Sequence, residues 1–245
     1  MNPTSTKLIS RRTLLVLWLL LLTLFLAATT FPVRFGLLKL AFVVVFALLW
    51  SGAIYLAWPR KTIRVLVLLS SVLPIILLLP GRNHNRENLR ATYVQRLRNL
   101  ENVPYVWGGE TARGLDCSGL LRRALIDANI ETGWRTLNPA LWREAAFLWW
   151  NDCSAKEMRD GFGGRASRLF EAKNLNALDD TRLRAGDFAV TSPGGAHVLA
   201  YVGNQTWIEA DPNAKYGFKV IEVQTPTRNA WFSQNVSICR WNQFQ

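Results

Sequence analysis

A thiol that hydrolyses amides has to be ionised, aimed and reachable, and one cysteine in this chain has neighbours suited to all three. Cys117 follows Asp116 at the head of a run in which Leu120, Leu121, Ala124, Leu125 and Ala128 recur at helical spacing. A cysteine that opens a helix sits at the positive end of the helix dipole, which favours the thiolate. Gly108, Gly109, Gly114 and Gly119 surround it and leave room for sharp turns and close approach of a substrate. A thiolate nucleophile also needs a base. The chain has 2 histidines. His84 stands in the polar run from Arg82 to Arg86 and reads as a solvated flank, whereas His197 opens a strand-like run after Pro193-Gly194-Gly195. A third polar group should fix the imidazole in one tautomer. Glu209 lies on the returning arm of the hairpin that Gly203-Asn204 would turn, close to His197 across the ladder, and Asp211 is the nearest substitute. No His/Cys/Asp cluster has metal-ligand spacing, and Gly161-Phe162-Gly163-Gly164 lacks the strand and lysine of a phosphate loop, so neither a metal nor a cofactor is expected.

Tyr105-Val106-Trp107-Gly108-Gly109, followed by Gly114-Leu115-Asp116-Cys117-Ser118-Gly119-Leu120, resembles the nucleophile motif of the NlpC-type cell-wall peptidases. Gly186-Asp187-Phe188 and the run from His197 to Asn204 resemble that family's second signature. The resemblance covers most of residues 102–210. It implies a papain-like α+β fold and hydrolysis of amide bonds in the stem peptides of peptidoglycan, commonly the bond after γ-D-glutamate. By position it makes Cys117 the nucleophile and His197 the base, matches Tyr105 to a tyrosine that assists at the oxyanion, and matches Asp116 and Ser118 to residues that contact a substrate amine. The Cys117 backbone N–H is the expected oxyanion donor.

Two departures from the family stand out. Its third catalytic position is most often His, where this chain has Glu209; a carboxylate can orient an imidazole, whether that of Glu209 or of Asp211. In addition, 80 positions separate Cys117 from His197, and the surplus falls in residues 130–183, expected to be a helical insertion. Trp142, Phe147, Trp149 and Trp150 cluster there, either as an extra helix packed on the core or as a groove wall. Two other functions keep parts of this pattern: a thiol amidase or acyltransferase acting on a lipid or protein, and a non-catalytic binding module. The intact set of Tyr105, Cys117 and His197 argues against the last.

The elements that position these residues divide the chain sharply. No Asp or Glu occurs before Glu87, and the first third is rich in Leu, Val, Phe and Ala. Residues 13–31 and 40–58 are uncharged runs of 19, and residues 65–81 form a third of 17 that contains Pro74. A spanning helix needs about 20 apolar residues, with ~17 as the lower limit, so about three transmembrane helices are expected. A cleaved signal peptide would account for the first run, but two more follow that still need a bilayer. Lys7, Arg11 and Arg12 before the first run, with Arg60, Lys61 and Arg64 after the second, outnumber Arg34 and Lys39 between them. That places the N-terminus in the cytoplasm and, after three crossings, the catalytic domain outside; without the third crossing it faces the cytoplasm. Eight of the 29 basic residues lie in this apolar third, so most of the formal charge of +12 serves the membrane, and no basic stripe supports nucleic-acid binding.

Residues 82–245 are of mixed composition and large enough for one domain. Helical periodicity over residues 87–100 and 116–128, then short strands after residue 184, predicts an α+β domain. Cys153 and Cys239 are either a pair, if the domain meets an oxidising compartment, or two separate buried thiols.

Overall fold

The computed structural model describes residues 10–245; Lys7 of the basic flank lies outside the described residues. The apolar helices make one compact unit, and Pro32–Gly36 together with Leu79–Gln245 make a second.

In the first unit, α1 (Arg11–Ala28) begins at Ser10, whose hydroxyl accepts the Thr13 N–H at 3.1 Å. It pairs with α2 (Gly36–Ala57). Gly52 admits the Trp18 ring so closely that a Cβ there would lie 2.6 Å from Trp18 Cδ1, and the Trp18 indole donates to the Leu49 carbonyl at 2.8 Å. These 18 and 22 residues are long and apolar enough to cross a bilayer. The third expected spanning helix does not form. Residues 65–81 do not form one helix: α3 (Lys61–Ser70) stops after 10 residues and α4 (Leu73–Ile76) is a single turn of 4. Pro74 has no N–H to give the Ser70 carbonyl, so the ladder breaks there. Ten residues rise only about 15 Å against a hydrocarbon core of ~30 Å. Among the described residues, two helices qualify as spans.

The second unit is α+β. Asn85 caps α5 (Arg86–Arg98) through the Asn88 N–H, and Leu89, Tyr93 and Leu97 are buried along one face of that helix. A two-stranded ribbon, β1 (Glu110–Thr111) and β2 (Gly114–Leu115), leads into α6 (Cys117–Thr136), two turns longer than its sequence pattern suggests. Then follow α7 (Pro139–Trp150), α8 (Ala155–Arg159) and the strands β3 (Ala166–Ala172), β4 (Phe188–Thr191), β5 (Val198–Gly203), β6 (Thr206–Asp211), β7 (Lys219–Gln224) and β8 (Val236–Trp241). All six pair antiparallel in the order β3-β8-β4-β5-β6-β7. Residues 130–183 are therefore not wholly helical, because β3 supplies an edge strand. Its mostly half-exposed face lacks the apolar alternation that would mark it in sequence.

Leu120, Leu121, Ala124 and Leu125 of α6 bury against Phe188, Val190, Val198 and Ala200 on one face of the sheet, while Leu199, Tyr201, Trp207 and Phe232 form a second core on the other. With both faces covered, β4 and β5 are rigid supports for whatever they carry. The aromatic cluster of α7 packs for the most part: Trp142 lies against Gly133, and the Arg165 guanidinium covers Phe147 at 3.2 Å, while Trp150 remains exposed. Cys153 and Cys239 are separate, buried and unpaired with each other, and burial raises both thiol pKa values, that of Cys239 to about 12.

Candidate active site

Cys117 is the first residue of α6, and Asp116 is its cap. The Asp116 carboxylate accepts the Gly119 N–H at 2.6 Å and the Ser118 hydroxyl at 3.0 Å through one oxygen, and the Gly108 N–H at 2.9 Å through the other. Asp116 thus ties the glycine turn to the start of the helix and holds negative charge where the helix dipole is positive. Gly119 is required by close approach, since a Cβ there would stand 2.1 Å from the Gly109 carbonyl oxygen. That contact sets Tyr105, Trp107 and Gly108 beside the half-buried thiol.

His197 precedes β5 and is 2% exposed. Its N–H donates to the Thr191 hydroxyl at 2.9 Å, and its carbonyl accepts the Thr191 N–H at 3.0 Å, so the end of β4 clamps its backbone. Its Nε2 meets Glu209 Oε2 at 2.6 Å, which leaves Nδ1 for Cys117. Burial pulls the His197 pKa down, but hydrogen bonds and charge from Cys117 and Glu209 overcome it and lift the value to about 9. Glu209 is fully buried, and burial raises its pKa despite the opposing His197 bond. Desolvation first, then the charges of Cys117, Asp116 and Asp211, push the Tyr105 phenol up to about 12, so it stays a donor at neutral pH.

Cys117 opens onto a cleft of about 490 Å³, lined among others by Tyr105, Asp116, Ser118, Trp107 and the turn from Asp152 to Ala155 after α7. A thiol at a helix start, an imidazole held by a buried carboxylate and a phenol kept protonated can together attack a carbonyl, move a proton and stabilise an oxyanion.

Residues 102–238, more than half of the chain, match the NlpC/P60 family. This chain belongs to the NlpC/P60 family. Solved structures with a similar fold include the peptidoglycan hydrolase RipB from Mycobacterium tuberculosis, 22% identical with a TM-score of 0.39, where the match covers 62% of this chain and 65% of that one. Another is the P60 domain of an antigen from M. avium subspecies paratuberculosis, at 19% identity and TM-score 0.38, covering 62% and 95%. NlpC2 from Trichomonas vaginalis matches at 20% identity and TM-score 0.40, covering 63% and 47%. No curated protein matches.

The NlpC/P60 domain brings Tyr105, Asp116, Cys117 and Ser118 to one cleft, with His197 and Glu209 behind the thiol. Between the two candidate carboxylates, Glu209 makes the imidazole contact. Asp211 stands one step further back: Asn229 Nδ2 donates to Glu209 Oε1 at 2.7 Å and to Asp211 Oδ2 at 3.0 Å. Trp231 stacks on His197 with ring centroids 4.3 Å apart and planes 17° from parallel. Sequence reasoning missed both. Asn229 carries a local signal as the cap of a short 3₁₀ turn, through the Trp231 N–H, but nothing in its spacing from Glu209 points to the imidazole.

Proposed function

We propose that this NlpC/P60 protein is a membrane-anchored cysteine hydrolase of amide bonds in peptidoglycan stem peptides. The observation that carries the reading is the line of groups running from the buried Glu209 through His197 to the cleft-lining Cys117. In this mechanism the Cys117 thiolate attacks the amide carbonyl and forms a C–S bond, while the carbonyl electrons move onto oxygen. The Cys117 N–H is one of the helix N–H groups without an intrahelical acceptor, and together with the Tyr105 hydroxyl it receives that oxyanion. The His197 imidazolium gives its proton to the nitrogen as the C–N bond breaks. Water then attacks the thioester, His197 takes its proton, and the thiolate leaves. Glu209 stabilises the imidazolium, Asn229 and Trp231 hold the pair in place, and Asp116 fixes the turn while Ser118, its hydroxyl proton given to Asp116, leaves its oxygen to accept from a substrate amine.

The location proposed is a bacterial inner membrane, with α1 and α2 as spans and the domain on the outer face. The loop Pro32–Gly36 belongs to the catalytic unit, so the domain shares the bilayer face of that loop. The more basic flanks at Arg11–Arg12 and at Arg60, Lys61 and Arg64 keep the helix ends away from it inside. Two crossings alone would leave the chain in the cytoplasm after α2, so this placement requires α3 and α4 together to recross the bilayer as an interrupted helix.

Full-length protein in detergent, incubated with purified peptidoglycan, releases new muropeptides in the mass spectrum, and Cys117→Ala releases none. A folded, thiol-reactive protein that releases nothing would refute the substrate assignment. A reporter fused after Gln245 reads the sidedness: a cytoplasmic signal is incompatible with a cell-wall substrate.

A further inference from the structure

One wall of the catalytic cleft comes from far outside the NlpC/P60 match. Arg34 and Phe35 line the cleft with Tyr105, Asp116, Cys117 and Ser118, although they precede residue 102 by more than sixty positions. Three ties hold their loop. The Pro32 carbonyl accepts the Glu110 N–H at 3.0 Å, Val33 forms an isolated antiparallel bridge with Gly109, and the Gly36 N–H donates to Asp152 Oδ2 at 3.1 Å. The packing is close enough that a Cβ on Gly114 would lie 2.9 Å from Pro32 Cβ. Gly109 and Glu110 extend the bank that carries Tyr105 and Trp107, and Asp152 begins the bank that continues through Ala155. The loop is therefore fastened to both banks and contributes Arg34 and Phe35 to the cleft lining.

Phe35 immediately precedes Gly36, the first residue of the 22-residue apolar α2. One residue of chain spans at most about 3.8 Å between Cα atoms. Phe35 is 57% exposed and Trp107 83% exposed, so aromatic rings stand open to solvent both on the loop and on the bank it is tied to. Rings of this kind are enriched where protein meets the headgroup region. A substrate with an acyl chain in the bilayer would pass its lipid-proximal portion along them to bring its amide to Cys117.

We infer, on the hydrolase reading above, that the preferred substrate is a peptide amide carried on a membrane-anchored lipid, and that Arg34 and Phe35 form the wall that selects it. The bonds made and broken are unchanged; what the loop adds is recognition of the part of the substrate next to the membrane.

The test uses the full chain in lipid vesicles with one stem peptide in two forms, free in solution and coupled to a diacyl phospholipid in the same vesicles. Wild type should cleave the lipid-borne form with a kcat/KM at least tenfold higher. Confinement to one bilayer would also favour that form, so the deciding comparison is Arg34→Gln/Phe35→Ser in identical vesicles. There the ratio of lipid-borne to free cleavage should fall about tenfold, the size of one lost aromatic contact. A variant that keeps the full ratio, or a wild type with no preference, overturns the inference while leaving the hydrolase intact. If wild type cleaves neither form, although Cys117 alkylates with iodoacetamide and the domain melts cooperatively, the hydrolase reading fails and takes the inference with it. Should the double variant not melt cooperatively, Phe35→Ser alone decides, with the same two outcomes.

Discussion

Replacing Glu209 by Gln keeps the side chain's volume and a carbonyl oxygen for the imidazole but removes the charge. The lift of the His197 pKa from 6.5 to about 9 corresponds to about 3 kcal/mol of net preference for the imidazolium. Glu209 shares that preference with Cys117. A hydrogen bond to a charged group is worth ~1.5–3 kcal/mol against ~0.5–1.5 kcal/mol for a neutral one, so the exchange should cost about 1–1.5 kcal/mol of it. Each 1.36 kcal/mol is about one pH unit, so the alkaline limb of kcat/KM against pH should move down by about one unit. The direction follows from the mechanism: the thiolate–imidazolium pair is lost when the imidazolium deprotonates, and a lower pKa brings that loss to lower pH. The assay is turnover of a stem peptide by the full-length protein between pH 5 and 10, with Asp211→Asn as a control expected to leave the limb within a few tenths of a unit. An unmoved limb in Glu209→Gln, or an equal movement in Asp211→Asn, would refute the argument that Glu209 holds the imidazole.

The same pairing should appear in stability. The folded pKa of His197 lies above its unfolded value, so the stabilisation is present in full below about pH 6.5 and fades as pH rises through about 9. Thermal melts across that interval should show the decline, and Glu209→Gln should flatten it. Trp231→Ala removes an aromatic stack worth ~0.5–1.5 kcal/mol and should lower kcat more than it raises KM, because the ring touches His197 and not the cleft. Gly119→Ala sets a methyl against the Gly109 carbonyl and should destabilise the domain by about 1–3 kcal/mol, read as a lower urea midpoint. Arg240→Met strips Asp187, 1% exposed, of a two-pronged partner at 2.6 and 2.7 Å, and leaving that buried charge unpaired should cost ~3–5 kcal/mol in the same measurement.

The site was legible in sequence where its chemistry is local. Asp116, Cys117, Ser118 and Gly119 are consecutive, and the cap, the thiol and the close glycine contact all follow from that short run. His197 and Glu209 are brought near each other by one hairpin, whose turn at Gly203-Asn204 is visible in the residue types. Asn229, Trp231, Arg34 and Phe35 reach the site only through the tertiary fold. They belong to a 3₁₀ turn beyond β7 and to a loop between apolar helices, and no periodicity connects either to a catalytic group. The apolar run at residues 65–81 departs from its pattern for a different reason: its composition suits a bilayer, but Pro74 interrupts the backbone ladder that a spanning helix needs. The edge strand β3 escaped notice because an edge strand need not alternate.

The place of β8 sets an order on the making of this protein. β8 lies between β3 and β4 in the sheet but is translated after both, and about 60 residues separate the end of β3 from its start. At ~5–20 residues per second the ribosome needs several seconds to supply it. During that interval β4, β5, β6 and β7 can pair in sequence as each emerges, while β3 has no neighbour and β4 shows a bare edge to the surroundings. Such an edge invites pairing with another chain. A nascent chain arrested before Val236 should therefore be cut by protease within β3, and should become resistant once the final strand slides into the gap.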